Sequence, residues 1–133
     1  MLHIDTSALM KLIRHEPESD ALADWLDAQT PAPWVSSTLI EVQLPRALRR
    51  TDPSLLADVP PIVARVARYE VDEVVRAAAA AAYPDPALRS PDSIHLATAD
   101  AVFGTQLTAF VSYDERLLTA AAAVGLQTAA PGR

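Results

Sequence analysis

Directly after Met1 the chain reads Leu2-His3-Ile4-Asp5-Thr6-Ser7-Ala8-Leu9, and this stretch indicates the fold class. Residues 2–4 predict a short buried strand that ends in an acid, Asp5. Thr6 or Ser7 is suited to cap the helix that follows. The apolar positions of that helix recur with a period of 3.6 residues, at Ala8, Leu9, Leu12 and Ile13. A strand followed at once by a helix is typical of an α/β fold.

The same alternation continues along the chain. Residues 108–113 predict another strand that ends in an acid, Asp114, and residues 115–124 predict a helix that stops at Gly125. Strands that alternate with helices predict a parallel sheet covered on both faces. The expected fold is a three-layer α/β/α domain with a short central parallel sheet. Further strands are predicted at 34–36, 66–71 and 126–129, and further helices at 17–30, 37–50, 73–83 and 90–103.

Polar and proline-rich segments separate these elements. Ser36 or Ser37 is the expected cap of the helix that runs to about residue 50, and Asp72 is the expected cap of the helix over 73–83. Residues 51–61 are rich in Pro and Asp, and they predict at most one helical turn around 54–58. Without internal repeats or a long linker, residues 1–133 are expected to form one domain.

Composition excludes several classes of protein. The chain contains no cysteine, which rules out disulfides and thiolate metal sites and fits a reducing compartment. No apolar run is long enough to cross a membrane, and the N-terminus lacks the pattern of a signal peptide, so a cytoplasmic protein is expected. A net charge of −6 does not favour bulk electrostatic binding of nucleic acid. Any such contact must be local or bridged by a metal.

A second informative stretch is Ser90-Pro91-Asp92-Ser93-Ile94-His95-Leu96-Ala97-Thr98-Ala99. Ser90 is suited to cap a helix, and Pro91 to occupy its first position, where a missing N–H costs nothing. Helical spacing places the carboxylate of Asp92 at one end of an apolar stripe formed by Leu96, Ala99 and Phe103. A carboxylate beside a buried stripe needs a partner, and we expect the partner of Asp92 to be a metal ion rather than another side chain.

Glu41 has a comparable position in the helix over 37–50. A helical wheel places it beside Leu48, at the edge of the apolar stripe. Pro45 cannot donate a hydrogen bond to the carbonyl oxygen of Glu41, so a kink or a loosened turn is expected there. The sequence therefore predicts that Glu41 borders the buried side of its helix.

Four carboxylates thus have unusual positions. Asp5 and Asp114 follow strands, whereas Glu41 and Asp92 lie on the inward sides of helices. Each alone has an ordinary explanation: Asp5 and Asp114 as helix caps, Asp92 as a complement to the helix dipole, and Glu41 as a semi-exposed residue whose stem packs on Leu48. Gathered in one crevice at the carboxyl ends of the strands, they would repel one another unless cations were present. Oxygen ligands without Cys select a hard cation, Mg²⁺ or Mn²⁺, and such clusters serve phosphoryl chemistry.

At these residues the chain resembles the PIN-domain nucleases, and most of all the VapC toxins of bacterial toxin–antitoxin pairs. The similarity covers nearly the whole chain, and its motifs occur in order. They are Leu2-His3-Ile4-Asp5-Thr6-Ser7-Ala8-Leu9, Glu41 within a helix, Asp92-Ser93-Ile94-His95-Leu96-Ala97-Thr98-Ala99 and Val111-Ser112-Tyr113-Asp114-Glu115-Arg116-Leu117.

This resemblance implies a metal-dependent endoribonuclease. It implies that Asp5, Glu41, Asp92 and Asp114 hold one or two Mg²⁺ or Mn²⁺ ions and act in catalysis. It also implies an RNA substrate, a cognate antitoxin as partner and a homodimer. The small polar residues that match assisting positions are Ser7 and Ser112. The apolar residues of the first two helices are a candidate surface for the antitoxin: Leu9, Leu12, Ile13, Leu22, Trp25 and Leu26.

Other interpretations compete with a nuclease. A non-catalytic protein- or RNA-binding module of the same fold would use the four acids only as caps. A response-regulator receiver needs a late lysine, but Lys11 is the only lysine. A haloacid-dehalogenase-like phosphatase needs a second Asp where Ser7 stands, and with three glycines the chain has no glycine-rich phosphate loop.

Two further groups of residues have open roles. His95 lies one helical turn after Asp92, and we expect it to be a packed side chain with one hydrogen bond rather than a base or a ligand. Several arginines are candidates for contacts with RNA phosphates, although a solvated basic face explains each equally well. They are Arg14, Arg46, Arg49, Arg50 and Arg89.

Overall fold

A parallel sheet of five short strands forms the centre of the molecule. The computed structural model describes all 133 residues. The strand order is β3-β2-β1-β4-β5, and every neighbouring pair is parallel, which confirms the predicted sheet. The strands are β1 (Leu2–Ile4), β2 (Trp34–Ser37), β3 (Val66–Tyr69), β4 (Ala109–Val111) and β5 (Thr128–Ala129).

Seven α-helices flank this sheet. Short 3₁₀ segments occupy Pro53–Asp58 and Gly104–Gln106, and a π-helix over Thr98–Phe103 continues α6. The π-helical turns change the helical phase, so Phe103 leaves the predicted apolar stripe, and its ring lies 6.0 Å from that of Tyr69. The helices are α1 (Thr6–Ile13), α2 (Ser19–Ala28), α3 (Ile40–Thr51), α4 (Val59–Ala64), α5 (Glu73–Ala81), α6 (Ser90–Ala97) and α7 (Glu115–Ala123).

The sheet separates two apolar cores. Successive residues of a strand face opposite sides, so Ala109 and Val111 of β4 pack into a larger core, and Phe110 into a smaller one. Helices α1 to α4 contribute to the larger core. Leu96 of α6 and Leu117 of α7 contribute to the smaller core. This arrangement is the predicted three-layer α/β/α fold.

The direction in which strands are added reverses at β1. Leu2 pairs with Trp34 of β2 on one side and with Ala109 of β4 on the other. Open parallel sheets commonly bind ligands beyond the carboxyl ends of the strands at such a point. Asp5 follows β1 there, and Asp114 comes shortly after the end of β4. The topology therefore brings these two acids to one edge of the sheet.

The starts of the helices differ in part from the prediction. Asp72 caps α5 as expected, by accepting a hydrogen bond from the backbone N–H of Val75. Asp5 itself caps α1, whereas Thr6 and Ser7 were predicted to do so. Because Asp5 is already in extended conformation while Thr6 is helical, its carboxylate is the one that can reach the free N–H groups of the first turn.

Serine residues were wrongly predicted to cap two other helices. Ser36 and Ser37 belong to β2, so α3 starts only at Ile40. Ser90 is the first residue of α6 and makes no side-chain cap. The proline that follows it still lies in the first turn, where its missing N–H has no helical partner to lose.

Two predictions about the helices depended on prolines, and the structure bears on them in different ways. Pro60 and Pro61 lie in the first turn of α4, a helix that the sequence did not predict, because a proline at that place does not interrupt a helix. Pro45 lies inside α3, yet the helix continues without a break from Ile40 to Thr51. The helix is therefore not broken at Glu41, and the kink or loosened turn expected there stays a prediction.

The apolar residues of α1 and α2 are largely used within the fold. Leu9, Leu22 and Leu26 are buried in the larger core, and Leu12, Ile13 and Trp25 are partly buried against it. The predicted excess of apolar surface on these helices is thus reduced to the exposed parts of three side chains. None of the helices is long and apolar enough to span a membrane.

Leu44 and Val42 provide a matched test of how α3 is oriented. Leu44 is fully buried, whereas Val42 is 61% exposed. We expect Leu44→Ala to lower the free energy of unfolding by about 2–5 kcal/mol, because it leaves a cavity, and Val42→Ala to change it by less than about 0.5 kcal/mol. Urea denaturation measures both. Equal losses would contradict this orientation of α3.

Candidate active site

A cleft of about 550 Å³ opens at the carboxyl ends of β1 and β4. Three of the four predicted site acids line it, namely Asp5, Asp92 and Asp114. The fourth, Glu41, is not among the lining residues. The structure therefore brings together carboxylates from the ends of two neighbouring strands and from the first turn of α6.

Asp5 is the most enclosed of these acids, with only 3% of its surface exposed. Its Oδ1 accepts hydrogen bonds from Ser7 Oγ at 2.7 Å and from the backbone N–H of Ala8 at 3.0 Å. Its Oδ2 accepts from Ser112 Oγ at 2.6 Å. Both oxygens are thus held by donors from α1 and from the segment after β4, which fixes the orientation of the carboxylate.

Burial raises the pKa of Asp5 to about 6. The hydrogen bonds from Ser112, Ser7 and Ala8 oppose this shift, because they stabilise the charged form. The nearby charge of Asp114 adds a small further rise in pKa. A carboxylate with this pKa is readily protonated in slightly acidic solution and gains from any cation that enters the cleft.

Ser7 and Ser112 connect the two segments that carry Asp5 and Asp114. Ser7 Oγ accepts from the backbone N–H of Tyr113 at 2.9 Å, and Ser112 Oγ accepts from that of Asp114 at 3.1 Å. Asp114 caps α7 by accepting from the N–H of Leu117 at 3.1 Å. Asp5 and Asp114 are therefore caps and cleft residues at the same time, so the two explanations do not exclude each other.

Asp92 forms an ion pair with a side chain of the protein. Its carboxylate, 13% exposed, lies 3.1 Å from Nε of Arg89, whose own side chain is 76% exposed. The expectation that no side chain of the protein would pair with Asp92 was wrong, whereas a metal ion at this carboxylate stays a prediction. An ion pair with such an exposed partner contributes little, at most about 1 kcal/mol, so Arg89 can leave at small cost.

The side chain of Glu41 does not face the cleft. Its side chain is 49% exposed and lies 3.6 Å from Nε of Arg68, which belongs to β3. Helix α3 contributes other residues to the cleft, and the first of them along the helix is Gln43. Gln43 Oε1 accepts from Thr6 Oγ1 at 2.6 Å and lies 2.7 Å from His95 Nε2. Sequence reasoning passed over Gln43, since an amide carries no charge that would single it out.

His95 is packed, as the sequence predicted, but its Nε2 has two polar contacts, with Gln43 Oε1 at 2.7 Å and with Thr6 Oγ1 at 3.4 Å. Only 2% of its surface is exposed, and burial lowers its pKa to about 4. The ring is therefore neutral at pH 7, and its contact with Gln43 Oε1 requires the proton to be on Nε2. Its Nδ1 has no hydrogen-bond partner.

The donor set of the cleft suits a hard divalent cation, although the cluster is not preformed. The three acids offer only oxygen atoms, which Mg²⁺ and Mn²⁺ prefer. No group of three or more His, Cys, Asp or Glu side chains is close enough to hold a metal ion as it stands. Release of Asp92 from Arg89 is the rearrangement that would free its oxygen atoms for a cation.

Basic residues surround the carboxylates. Six basic and four acidic residues line the cleft, although the whole chain has a net charge of −6. The sequence singled out four of the six as candidate phosphate contacts and missed Lys11 and the last residue, Arg133, which no motif marks. The six are Lys11, Arg14, Arg46, Arg50, Arg89 and Arg133.

Arg46 and Arg50 differ from the other four. Lys11, Arg14, Arg89 and Arg133 each form an ion pair with an acid, whereas Arg46 and Arg50 have none. These two are exposed and lie one helical turn apart on α3. They are the basic side chains of the cleft whose charge is free for an external anion.

Comparison with known proteins identifies the family. A model of the PIN domain family matches residues 2–123. The chain belongs to the PIN domain family. Ribonuclease VapC35 of Mycobacterium tuberculosis H37Rv is 54% identical over 134 residues, which cover 100% of this chain and 98% of the relative. Ribonuclease VapC47 of M. tuberculosis CDC 1551 is 41% identical, with 99% and 98% covered.

A solved structure of a VapC toxin has the same fold. The crystal structure of M. tuberculosis VapC20, described as a toxin that cleaves the sarcin–ricin loop, superposes with a TM-score of 0.72. The match covers 95% of this PIN domain chain and 96% of the VapC20 chain, at 14% sequence identity. At this low identity the likeness concerns the fold, and it agrees with the three-layer α/β/α architecture predicted from the sequence.

The raised pKa of Asp5 leads to a testable prediction about how the stability of this PIN domain depends on pH. Because the folded state holds the proton more tightly than the unfolded state, charging Asp5 destabilises the fold as pH rises from about 4 to above 6. We expect Asp5→Asn to match wild type at pH 4 and to exceed its free energy of unfolding by up to about 3 kcal/mol at pH 8.

Chemical denaturation across this pH range, with a chelator present, measures the effect. Val42→Ala is the control, because it changes an exposed side chain without a titratable group, so its difference from wild type should not vary with pH. A constant difference for Asp5→Asn would show that burial does not perturb this carboxylate.

Proposed function

We propose that this PIN domain hydrolyses phosphodiester bonds of RNA and is the toxin of a toxin–antitoxin pair. The observation that carries the proposal is the charge pattern of the cleft, in which three carboxylates lie among basic residues. The names of the two ribonuclease relatives, whose full lengths the chain matches, support the same activity. An acidic centre alone would repel RNA, whereas basic surroundings allow a phosphate backbone to approach.

We further propose that Asp5, Asp92 and Asp114 hold Mg²⁺ or Mn²⁺. When bound, such a metal neutralises charge on the scissile phosphate and supplies an activated water. The chain's own residues orient the ligands: Ser7 and Ser112 fix Asp5 by hydrogen bonds to both of its oxygens. Glu41, which faces Arg68, is not included in this ligand set.

Arg46 and Arg50 are proposed to bind phosphates next to the bond that is cut. Their free charge and their position one turn apart on α3 support this role. Arginine binds phosphate through several N–H donors at once, which orients the backbone as well as attracting it. The two residues would thus place the RNA across the mouth of the cleft.

Partners and assembly belong to the same proposal. A cognate antitoxin, a homodimer and a cytoplasmic location follow from membership among VapC-like proteins and remain predictions. That residues 1–133 form a single domain is also proposed, because β1 and β5, from the two ends of the chain, belong to one sheet. A non-catalytic binding module remains the alternative, since Asp5 and Asp114 both cap helices.

Cleavage of RNA by the purified protein tests the activity. Ribosomal and transfer RNA are incubated with wild-type protein and Mg²⁺ or Mn²⁺, with wild-type protein and chelator, and with Asp92→Asn. We expect cleavage only in the first case, with a loss of at least about 100-fold in the other two, because a ligand carboxylate or the metal is removed. The binding-module alternative predicts RNA binding without cleavage in all three.

The arginines are tested by RNA binding without turnover, in the Asp92→Asn background. We expect the added double change Arg46→Ala and Arg50→Ala to weaken binding to single-stranded RNA about tenfold or more. The salt dependence of the binding constant should then correspond to about one to two fewer ions released on binding. Arg49→Ala is the matched control, because Arg49 lies on the same helix outside the cleft. Equal effects of both changes would contradict a specific role.

A further inference from the structure

Helix α3 presents an amide, not a carboxylate, to the cleft. Gln43 lines the cleft, whereas Glu41 lies 3.6 Å from Arg68 and does not. Two residues along an α-helix are separated by about 200°, so Glu41 and Gln43 cannot face the same wall. The cleft face of α3 is instead continued by Ala47 and Arg50, at helical spacing from Gln43.

Gln43 is fixed by two segments that carry acids of the site. Its Oε1 accepts from Thr6 Oγ1 at 2.6 Å, and Thr6 directly follows Asp5. The same oxygen accepts from Nε2 of the neutral His95 at 2.7 Å, and His95 lies one turn after Asp92. The amide thus connects the start of α1 with α6, and its orientation is set by both.

These contacts leave the nitrogen of the amide free. Oxygen Oε1 takes up both hydrogen bonds from Thr6 and His95, whereas Nε2 of Gln43 donates none within the protein. An amide N–H₂ offers two donors and no charge. At the edge of a carboxylate cluster, such a group favours an oxygen acceptor of a ligand, and it does not add to the repulsion that a fourth carboxylate would exert on phosphate.

We infer that Gln43 is a substrate-contacting residue that donates hydrogen bonds to a phosphate or ribose oxygen of the RNA, and that the metal site comprises three carboxylates instead of four. This inference rests on the proposed function, since it names the contact by which the same cleft holds its substrate. Glu41 has no part in metal or RNA binding. The acid expected from this helix is replaced by a neutral donor in the site.

The isosteric change Gln43→Glu tests the inference through binding rather than turnover. Glutamate retains an oxygen for Thr6 and His95, but it removes both N–H donors and adds a negative charge. We expect Gln43→Glu to weaken binding of single-stranded RNA in chelator about tenfold, and to tighten binding of Mn²⁺ alone about tenfold. Fluorescence anisotropy measures the first and isothermal titration calorimetry the second.

Two controls define the outcome. Glu41→Gln should equal wild type in both assays, and Gln43→Ala should weaken RNA binding without tightening Mn²⁺ binding. Circular dichroism and thermal melting verify that each variant is folded. The inference is overturned if Gln43→Glu binds RNA as wild type does, or if Glu41→Gln weakens Mn²⁺ binding.

Failure of the proposed function would look different. In that case no variant and no metal would give RNA cleavage, while the binding shifts at Gln43 would still appear if the inference is correct. Conversely, cleavage that is unaffected by Gln43→Glu, together with unchanged RNA binding, would leave the nuclease in place and remove Gln43 from it.

Discussion

The site depends on one buried carboxylate, that of Asp5. It lies at the end of the central strand and accepts hydrogen bonds from both neighbouring segments, through Ser7 and Ser112. The same serines accept backbone N–H groups of the segment after β4, which places Asp114 beside it. Since each hydroxyl both donates and accepts, two short polar side chains fix the relative position of two acids that are about 110 residues apart in the sequence.

The fold was largely predictable because its signals are local. The strands that end in acids, the cap at Asp72 and the stop at Gly125, which has φ of +87°, follow from residue types and short spacings. Helix α4 was missed because Pro60 and Pro61 are read as breakers, although prolines are compatible with a first turn. The start of α3 was misplaced because Ser36 and Ser37 serve a strand as well as they could serve a cap.

The site was less predictable, because it depends on which residues a helix turns toward the cleft. The wheel correctly places Glu41 on the side of Leu48, but the two lie about 10 Å apart along the axis. Leu48 is fully buried, while Glu41 lies in the first turn, beyond the core and beside Arg68. A helical wheel gives the angular position of a residue around the helix axis but not its position along the axis. It therefore cannot show that Gln43 lines the cleft.

The three acids of the cleft are compensated by three different means. Asp5 is stabilised by three neutral donors and keeps a raised affinity for protons. Asp114 lies at the N-terminus of α7, where backbone N–H groups and the helix dipole favour its charge. Asp92 is paired with Arg89, the one partner that is mostly exposed. The first two compensations come from serine hydroxyls and backbone N–H groups, whereas the third is an exposed side chain. Arg89 is therefore the partner that the proposed cation would displace first. On the proposed function, the released guanidinium would stay at the cleft and add to the positive charge that attracts phosphates.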